Sequence, residues 1–386
     1  MKKRSDGRYR IKFTTDDGKT HYVYGKTVQE AKAAEVAARK RISEGLIDND
    51  NITLDKYFEI YQSQRIGTIR ESTARITRQH YIAISRHIGK MKLTKITRPV
   101  VIKLQKDLQS DKIIRNGKET GKTYTEKGVN DRISLLYSIM KNAMADRIIN
   151  HNPVEGVKYL QKSTTPARNT IHRALTEKEI AVFFEAAKNS WYYNLFRFLI
   201  LSGCRTCEAT ALSDADIDYK KNVIHITKTV EIIDNKDPKE GEAKYKCIIF
   251  DKPKTTKSRR DIPLTDDLKQ VIKDQKKMLN EFFGGNIFSF ERLLFVNQKG
   301  NYVTSSDGNQ AIRNVINYMP EDKKIDRFTD HAFRDTFATH ALRAGMNPNT
   351  LKEILGHSGL SMTMDLYGHV LEDTKAEEMA KIKLIG

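Results

Sequence analysis

A polar stretch at residues 161–172, QKSTTPARNTIH, divides this chain into two segments with different sequence patterns. It has few apolar residues and one proline, which is typical of an extended linker. The segment before it has mainly helical periodicity, whereas the segment after it mixes helix and strand patterns. A chain of 386 residues is also longer than one hydrophobic core usually supports. We therefore predict a multidomain protein that is mostly α-helical with small β-sheets.

Residues 1–45 predict a small domain made of a sheet and a helix. The first strand, residues 8–13, alternates apolar and basic side chains. The apolar face carries Tyr9, Ile11 and Phe13, and the basic face carries Arg8, Arg10 and Lys12. After an Asp-Gly turn, Tyr22 and Tyr24 are expected to continue the apolar face. A helix with a capping-box pattern then begins at about Thr27. The basic face fits a DNA major groove, but a solvated hairpin would show the same pattern.

Residues 51–160 have the apolar periodicity of α-helices. Four helices are expected, near 53–63, 72–88, 97–109 and 125–147. A loop rich in glycine, lysine and asparagine, residues 111–123, is expected between the third helix and the fourth. We predict an all-helical domain.

Basic charge is concentrated in this helical segment. The whole chain has 68 Lys and Arg against 49 Asp and Glu, a net charge of +19. Residues 51–165 contribute 22 basic and 10 acidic side chains, which is most of that surplus. A basic excess in one folded segment favours a polyanionic partner such as nucleic acid, because each cation that meets a phosphate releases a counterion. An ordinary basic surface would carry the same charge.

Residues 173–386 mix helices and strands. A capping-box pattern at Thr176 opens a helix, and a strongly apolar helix is expected at 191–202. Strands are expected at 223–230, 245–250 and 259–264, with a charged loop at 233–244. Further helices are expected near 265–281, 306–318, 330–343, 349–355 and 361–368. We predict a mixed α/β domain that ends in a short tail helix at 371–385.

Composition and two false motifs exclude several classes of protein. No apolar run approaches the roughly 18 residues that span a bilayer, so no membrane protein is expected. Three cysteines fit a reducing cytoplasm rather than a disulfide scaffold. Residues 117–123 resemble a phosphate-binding P-loop, but the glycine spacing is one residue short and no strand is expected before it. The pair Cys204 and Cys207 has no second CxxC pair nearby, so we expect neither a zinc site nor a redox motif.

A set of residues in the C-terminal segment carries a chemical pattern, although each alone is a common surface or packing residue. The set is Arg205, Lys254, His331, Arg334, His357 and Tyr367. Two arginines can hold the non-bridging oxygens of a phosphodiester, and a tyrosine can attack its phosphorus. A lysine can protonate the departing 5′ oxygen, while histidines can move protons and bind the developing charge. This chemistry needs no metal, no nucleotide and no other cofactor.

In its order and spacing, this set resembles the catalytic set of the tyrosine recombinases, or phage-type integrases. The surrounding text, HAFRDTFATHAL and LGHSGLSMTMDLYGH, makes the match specific, and the resemblance covers nearly the whole chain. Within the family, the sequence is most similar to integrases of Gram-positive conjugative transposons and related prophages. The resemblance implies an arm-site DNA-binding domain at 1–45, with a three-stranded sheet and a helix. It also implies a helical core-binding domain at 51–160 and a catalytic domain at 173–386.

The resemblance implies a role for each residue that would bind the scissile phosphate. Arg205 and Arg334 would hold its oxygens from two sides. Glu208 matches the acidic residue of the family beside the first arginine and would orient it. His357 would bind the same phosphate.

The remaining residues would make and break bonds. Tyr367 would be the nucleophile, giving a 3′-phosphotyrosine and a free 5′ hydroxyl. Lys254, on a β-hairpin, would be the general acid, although Lys252 and Lys257 flank it. His331 would act in proton transfer.

The resemblance further implies partners and a setting. Double-stranded DNA would be bound at core and arm sites, and copies of the chain would form dimers and tetramers in a synaptic complex. An excision factor and a host DNA-bending protein would be additional partners. The tail helix would dock on a neighbouring protomer or fold back on its own domain, and the sequence leaves both open. We expect a cytoplasmic enzyme, on the nucleoid when acting, that integrates and excises a mobile element.

Other functions share part of this pattern. A type IB topoisomerase has the same catalytic set and acts as a monomer, but the N-terminal unit and the tail favour a recombinase. A Xer-like or prophage resolvase would also carry these residues. A DNA-binding regulator with a degenerate catalytic half is disfavoured because every motif residue is present. A metal-dependent transposase needs three carboxylates around its metals, and no acidic trio stands out.

Overall fold

The structure is a computed structural model. It describes residues 3–15, 20–43, 52–115, 118–161, 173–235, 245–250, 259–284, 293–357 and 359. The chain forms two compact units, Met1–Thr165 and Pro166–Gly386. Helices predominate and the sheets are small and antiparallel, which confirms the predicted fold class. Within the described ranges, no helix is long and apolar enough to cross a membrane.

The first unit begins with a hairpin and a helix. Strands β1 (Tyr9–Thr14) and β2 (Thr20–Gly25) pair antiparallel, and helix α1 (Val28–Ser43) follows them. The described residues form a two-stranded sheet here rather than the three-stranded sheet that the resemblance implies, with an isolated bridge from Lys3 to Tyr9 at its edge. Ile11, Phe13 and Ala31 are buried where the helix packs on the strands.

The register of this hairpin corrects one prediction. Arg10 pairs with Tyr24 and Lys12 pairs with Tyr22, and directly opposite residues share one face of a sheet. Both tyrosines are therefore exposed on the basic face and do not continue the apolar face. The guanidinium groups of Arg8 and Arg10 lie 5.5 Å and 5.1 Å from the ring centres of Tyr24 and Tyr22. Alternation within a strand does not fix the register between strands, which is why the sequence pattern misassigned this face.

Helices and a second hairpin complete the described part of the first unit. They are α2 (Leu54–Ser63), α3 (Glu71–Ile88), α4 (Arg98–Ser110), β3 (Lys112–Arg115), β4 (Lys118–Thr123) and α5 (Glu126–Ala145). The side chains of Thr53 and Thr125 cap α2 and α5. The apolar faces of the helices form one core in which Tyr57, Leu104 and Ile133 are buried.

Residues 111–123 are not the predicted loop. Strands β3 and β4 pair antiparallel with an irregularity between Lys112 and Ile114. The Thr120 hydroxyl donates to the Ile113 carbonyl at 2.8 Å and ties the two strands together. The lysines and glycines of this segment are poor strand formers, so composition concealed the hairpin. The P-loop-like residues 118–123 form its second strand.

The second unit packs helices around two small sheets. Its helices are α6 (Glu177–Ala187), α7 (Tyr193–Ser202), α8 (Thr206–Ala209), α9 (Asp266–Phe283), α10 (Ser305–Asn317), α11 (His331–Arg343) and α12 (Pro348–Leu355). Its strands are β5 (Ile217–Asp218), β6 (Val223–Ile226), β7 (Thr229–Asp234), β8 (Tyr245–Phe250) and β9 (Arg260–Pro263). The strand order is β5-β6-β9 in one sheet and β7-β8 in the other.

The structure corrects two of the predicted elements of this unit. The run 223–230 is two strands rather than one, because β6 pairs with β9 whereas β7 pairs with β8. The expected loop at 233–244 begins later, since β7 extends to Asp234. Residues 236–244 of that loop, the helix expected at 361–368 and the tail helix at 371–385 lie outside the described residues.

An aromatic cluster joins α6, α7 and α11. The ring centres of Phe183, Phe196 and Phe333 lie 5.5 Å to 5.6 Å apart, and all three rings are buried. Phe333 immediately precedes Arg334 on α11. The packing of the aromatic core therefore also fixes the position from which Arg334 extends.

Candidate active site

The turn from α7 to α8 positions Arg205 and Glu208. Gly203 ends α7 with a φ of 63°, and a Cβ there would lie 2.5 Å from Phe337, so both the backbone and the space require glycine. The Arg205 backbone N–H donates to Glu208 Oε2 at 3.1 Å, and Arg205 Nη1 donates to Glu208 Oε1 at 2.8 Å. Glu208 therefore holds both the backbone and the guanidinium of Arg205.

A third arginine, which the sequence did not single out, bonds the same carboxylate. Arg260 lies at the start of β9, and its Nη2 donates to Glu208 Oε2 at 2.8 Å. Its Nε donates to the Ile354 carbonyl at the end of α12, at 2.5 Å. The Arg260 side chain is only 5% exposed. The sequence did contain a signal that could have identified Arg260. Arg260 and the buried Ile262 lie on the same face of the strand, and a cation on an inward face needs a partner.

Arg334 is buried between the ends of two helices. Its Nη1 donates to the Gly203 carbonyl at 2.7 Å, and its Nη2 donates to the Leu355 carbonyl at 2.6 Å. The C-terminal carbonyls of a helix carry partial negative charge, so α7 and α12 both stabilise this guanidinium. Burial, followed by the charge of Arg205, lowers the pKa of Arg334 to about 9.

His357 follows α12 and is nearly buried beside these arginines. Burial lowers its pKa to about 4, and the charges of Arg334, Arg205 and Arg260 act in the same direction. The imidazole is therefore neutral at pH 7 and can donate one hydrogen bond. A phosphate in contact with it would favour the protonated form.

The electrostatic balance of the cluster favours an anion. Arg205, Arg260 and Arg334 carry three positive charges, and Glu208 carries one negative charge against them. Arg205 is the most accessible of the three arginines, with 35% of its side chain exposed. A planar, partly exposed guanidinium with an excess of positive charge around it suits a phosphate oxygen.

His331 lies at the N-terminus of α11, one turn before Arg334, and about half of its side chain is exposed. The preceding residue, Asp330, accepts hydrogen bonds from Thr206 Oγ1 at 2.6 Å and from Ser305 Oγ at 2.5 Å. These contacts fasten the start of α11 to α8 and α10. The segment that carries His331 and the turn that carries Arg205 are thereby held together.

The other predicted site residues are not part of this described cluster. Lys254 and Tyr367 lie outside the described residues. Arg8, Arg10 and Lys12 belong to the first unit, on the exposed strand face described above. The structure thus brings Arg205, Glu208, Arg334 and His357 together and adds Arg260.

The cysteine pair shows no features of a reactive site. Cys204 is buried and Cys207 is partly buried, and burial raises the pKa of both thiols to about 11. Among the described residues, no group of three or more His, Cys, Asp or Glu side chains could hold a metal ion.

Two family models match the chain. Residues 173–373 match the model described as the phage integrase family, and this segment includes every residue of the predicted catalytic set. Residues 53–109 match the N-terminal SAM-like domain of phage integrases.

Curated relatives span most of the chain. It is 26% identical over 363 residues to a XerC-like tyrosine recombinase of Caldanaerobacter subterraneus, covering 91% of this chain and 88% of the relative. It is 25% identical over 399 residues to the transposase of transposon Tn916 from Enterococcus faecalis, covering 98% and 93% of the two chains.

Solved structures share the fold. The Tn1549 transposon integrase in complex with transposon right end DNA superposes with a TM-score of 0.66 at 22% identity, covering 86% of this chain and 99% of that one. A lambda integrase tetramer bound to a Holliday junction gives a TM-score of 0.56 at 15% identity, covering 94% and 93%. With the matches to the family models, these similarities establish that the chain belongs to the phage integrase family and is a tyrosine recombinase, an enzyme that breaks and rejoins DNA.

Proposed function

We propose that this recombinase integrates and excises a mobile element of the conjugative-transposon type, through a covalent 3′-phosphotyrosine at Tyr367. The observation that carries the proposal is the cluster of Arg205, Arg334 and His357 around Glu208, whose excess positive charge suits a phosphodiester. The likeness to the Tn916 transposase along nearly the full length of both chains supports the choice of element.

Three residues are proposed to bind the scissile phosphate: Arg205, Arg334 and His357. The partly exposed guanidinium of Arg205 contacts one non-bridging oxygen of the scissile phosphate. Arg334 has five N–H donors and uses two of them on the carbonyls of Gly203 and Leu355, so others serve the second oxygen. His357 donates a hydrogen bond to the same group. As negative charge develops on the phosphate in the transition state, these fixed donors stabilise it.

Strand cleavage is a transesterification in which one phosphate ester replaces another. The Tyr367 hydroxyl attacks phosphorus, a P–O bond to the tyrosine forms, and the bond from phosphorus to the 5′ oxygen breaks. The tyrosine proton passes to His331, and Lys254 gives a proton to the departing 5′ oxygen. Attack by a 5′ hydroxyl from the partner strand reverses these steps and rejoins the DNA. The number of phosphodiester bonds is conserved, so the reaction needs no nucleotide.

DNA recognition and assembly are proposed from the two units and from the relatives. The first unit binds double-stranded DNA, with residues 1–45 at arm sites and 51–160 at core sites. The chain acts as a dimer and then as a tetramer; its structural neighbour lambda integrase is a tetramer when bound to a Holliday junction. An excision factor, a host DNA-bending protein and a place on the nucleoid remain predictions.

The alternatives are less well supported. The relatives and solved neighbours described above are recombinases, integrases and transposon enzymes, which does not favour a type IB topoisomerase. A degenerate regulator is disfavoured because Arg205, Arg334 and His357 are assembled into a site. Plasmid relaxation without element ends would support the topoisomerase.

The covalent intermediate provides the test. A duplex that carries the joined ends of the element is nicked close to the cleavage site, so that the freed 5′ fragment diffuses away and the adduct accumulates. Wild-type protein should give a slow protein–DNA band on a denaturing gel, and Tyr367→Phe should lose it while binding the duplex normally. Tyr318→Phe is the matched control, since Tyr318 is 89% exposed in the same unit. Adduct formation by Tyr367→Phe would show that the nucleophile is misassigned.

A further inference from the structure

Arg260 connects three elements that meet at the site. It extends from β9, bonds the Glu208 carboxylate on α8 through Nη2, and bonds the Ile354 carbonyl of α12 through Nε. A Cβ on Gly356 would lie 3.1 Å from Arg260 Cδ, so the helix end leaves just enough room for this side chain. A buried arginine in so close a fit has a defined position.

The geometry directs Arg260 at the Glu208 carboxylate, whereas Arg205 is the accessible partner of that carboxylate. The side chain of Arg260 is 5% exposed, whereas that of Arg205 is 35% exposed. The two arginines occupy different oxygens of Glu208, with Arg205 Nη1 on Oε1 and Arg260 Nη2 on Oε2. A carboxylate bonded on one oxygen can rotate about its side-chain torsions, but one bonded on both is fixed in orientation. Arg260 therefore acts on Arg205 through Glu208.

We propose that Arg260 is a positioning residue for DNA strand cleavage, which holds Glu208, and through it the Arg205 guanidinium, in the orientation that receives the scissile phosphate. This inference rests on the proposed function of the same site. None of the site residues predicted from the sequence lies on β9, so the proposal adds a residue of this strand to the site.

The charges around Glu208 provide a signature of this role. Glu208 faces Arg205, Arg260, Arg334 and His357, together with the thiols of Cys204 and Cys207. Burial by itself raises the pKa of Glu208, but the charge and hydrogen bond of Arg260, followed by the charge of Arg205, outweigh burial and lower it to about 2. Without Arg260, burial is opposed less strongly and the pKa of Glu208 rises. A protonated Glu208 no longer attracts Arg205 as an anion.

The experiment measures single-turnover cleavage of the nicked duplex from pH 5.5 to 9, with DNA affinity measured in parallel. Arg260→Gln should cleave about 10²-fold more slowly at pH 7, because small misplacements of catalytic groups have effects of this size. Its DNA affinity should stay within about twofold of wild type, because the donors of Arg260 are directed at Glu208 and the Ile354 carbonyl and its proposed role is to orient Arg205. Its rate should also fall further as the pH decreases, relative to wild type.

Two further variants identify the group that titrates. Arg260→Lys keeps the positive charge but not the geometry, so it should cleave slowly without the additional acid dependence. The double variant Arg260→Gln with Glu208→Gln should also lack that dependence, since the titrating carboxyl is gone. Arg197→Gln is the control, because Arg197 forms an ion pair with Asp274 between α7 and α9 in the same unit. It should cleave at the wild-type rate.

The outcomes test the positioning role of Arg260 separately from the proposed function of the protein. A wild-type rate and pH profile in Arg260→Gln overturns the positioning role. If Arg260→Gln does not melt cooperatively, Arg260→Lys decides: slow cleavage with normal DNA affinity supports the role, and wild-type cleavage overturns it. Equal loss of rate in Arg197→Gln would show a general loss of stability and also overturns the role. Failure of wild-type protein to form the adduct would instead contradict the proposed function.

Discussion

Arg260 and Arg334 donate to consecutive carbonyl groups at the end of α12. Arg260 Nε bonds Ile354 at 2.5 Å, and Arg334 Nη2 bonds Leu355 at 2.6 Å. The left-handed Gly356 caps α12, with backbone N–H groups donating to the carbonyls of Lys352 and Glu353, and the two arginines bond the next two carbonyls, which have no partner within the helix. The end of α12 therefore helps to fix two of the three arginines of the site.

Gly356, the residue that ends α12, should be sensitive to a single added methyl group. It has a φ of 66°, and a Cβ would lie 3.1 Å from both Cδ and Nη1 of Arg260. Gly356→Ala should lower the free energy of unfolding by about 1–3 kcal/mol and slow strand cleavage by about tenfold. Gly345→Ala is the control, because Gly345 has a φ of 83° with nothing within 4 Å of an added Cβ. It should lose stability through strain alone and keep its cleavage rate. Equal cleavage by both variants would contradict the role of the close contact.

His357 should make the DNA-free protein less stable as the pH falls. Its pKa is about 4 in the folded protein, below its ordinary value of 6.5. Between these two values the unfolded chain binds a proton that the folded chain does not, so the free energy of unfolding falls from pH 6.5 toward pH 4. His357→Asn removes this contribution, which is at most about 3 kcal/mol. Urea unfolding of both proteins at several pH values measures the difference, and parallel curves would refute the assignment.

The basic face of the N-terminal hairpin should bind DNA mainly through charge. Arg8 immediately precedes β1, and Arg10 and Lys12 follow it at alternate positions along the strand; all three are exposed. Replacing all three by glutamine should reduce the salt dependence of arm-site binding, lowering the slope of log affinity against log salt by up to about 3. The control replaces three exposed cations of α1, Lys32, Arg39 and Lys40, by glutamine. If the control reduces the slope as much as the β1 variant, the DNA face is not the one proposed.

Cleavage should continue in excess EDTA. Guanidinium groups supply the positive charge that a divalent cation supplies in metal-dependent nucleic-acid enzymes. The adduct assay in EDTA, at matched ionic strength, checks this expectation. DNA affinity should be measured beside it, since divalent ions also screen phosphate charge. Loss of the adduct that Mg²⁺ restores, at unchanged affinity, would favour a metal-dependent transposase.

Much of the fold was predictable because long amphipathic helices have a strong signal. The four helices of 51–160 and most helices of 173–386 lie within about two residues of their predicted bounds. The β3–β4 hairpin was missed because its strands are polar and short. The exposed positions of Tyr22 and Tyr24 were missed because the register between strands depends on the turn, not on alternation.

The candidate site was predictable only in part. Arg205, Arg334 and His357 were found because they stand in a recognisable order of motifs. Arg260 was missed because its importance depends on contacts with Glu208 and Ile354, which come together only in the folded chain. No local pattern encodes which carboxylate and which carbonyl a strand arginine will meet.

The two carbonyl partners of Arg334 have a consequence for synthesis of the chain. One, on Gly203, lies 131 residues before Arg334, and the other, on Leu355, lies 21 residues after it. A nascent chain that has not yet reached α12 lacks the Leu355 carbonyl, so the cluster around Arg334 is incomplete until that helix has been synthesised. If the proposed site is correct, DNA cleavage is expected only from a chain that extends through α12, and a chain interrupted before that helix is expected to be inactive.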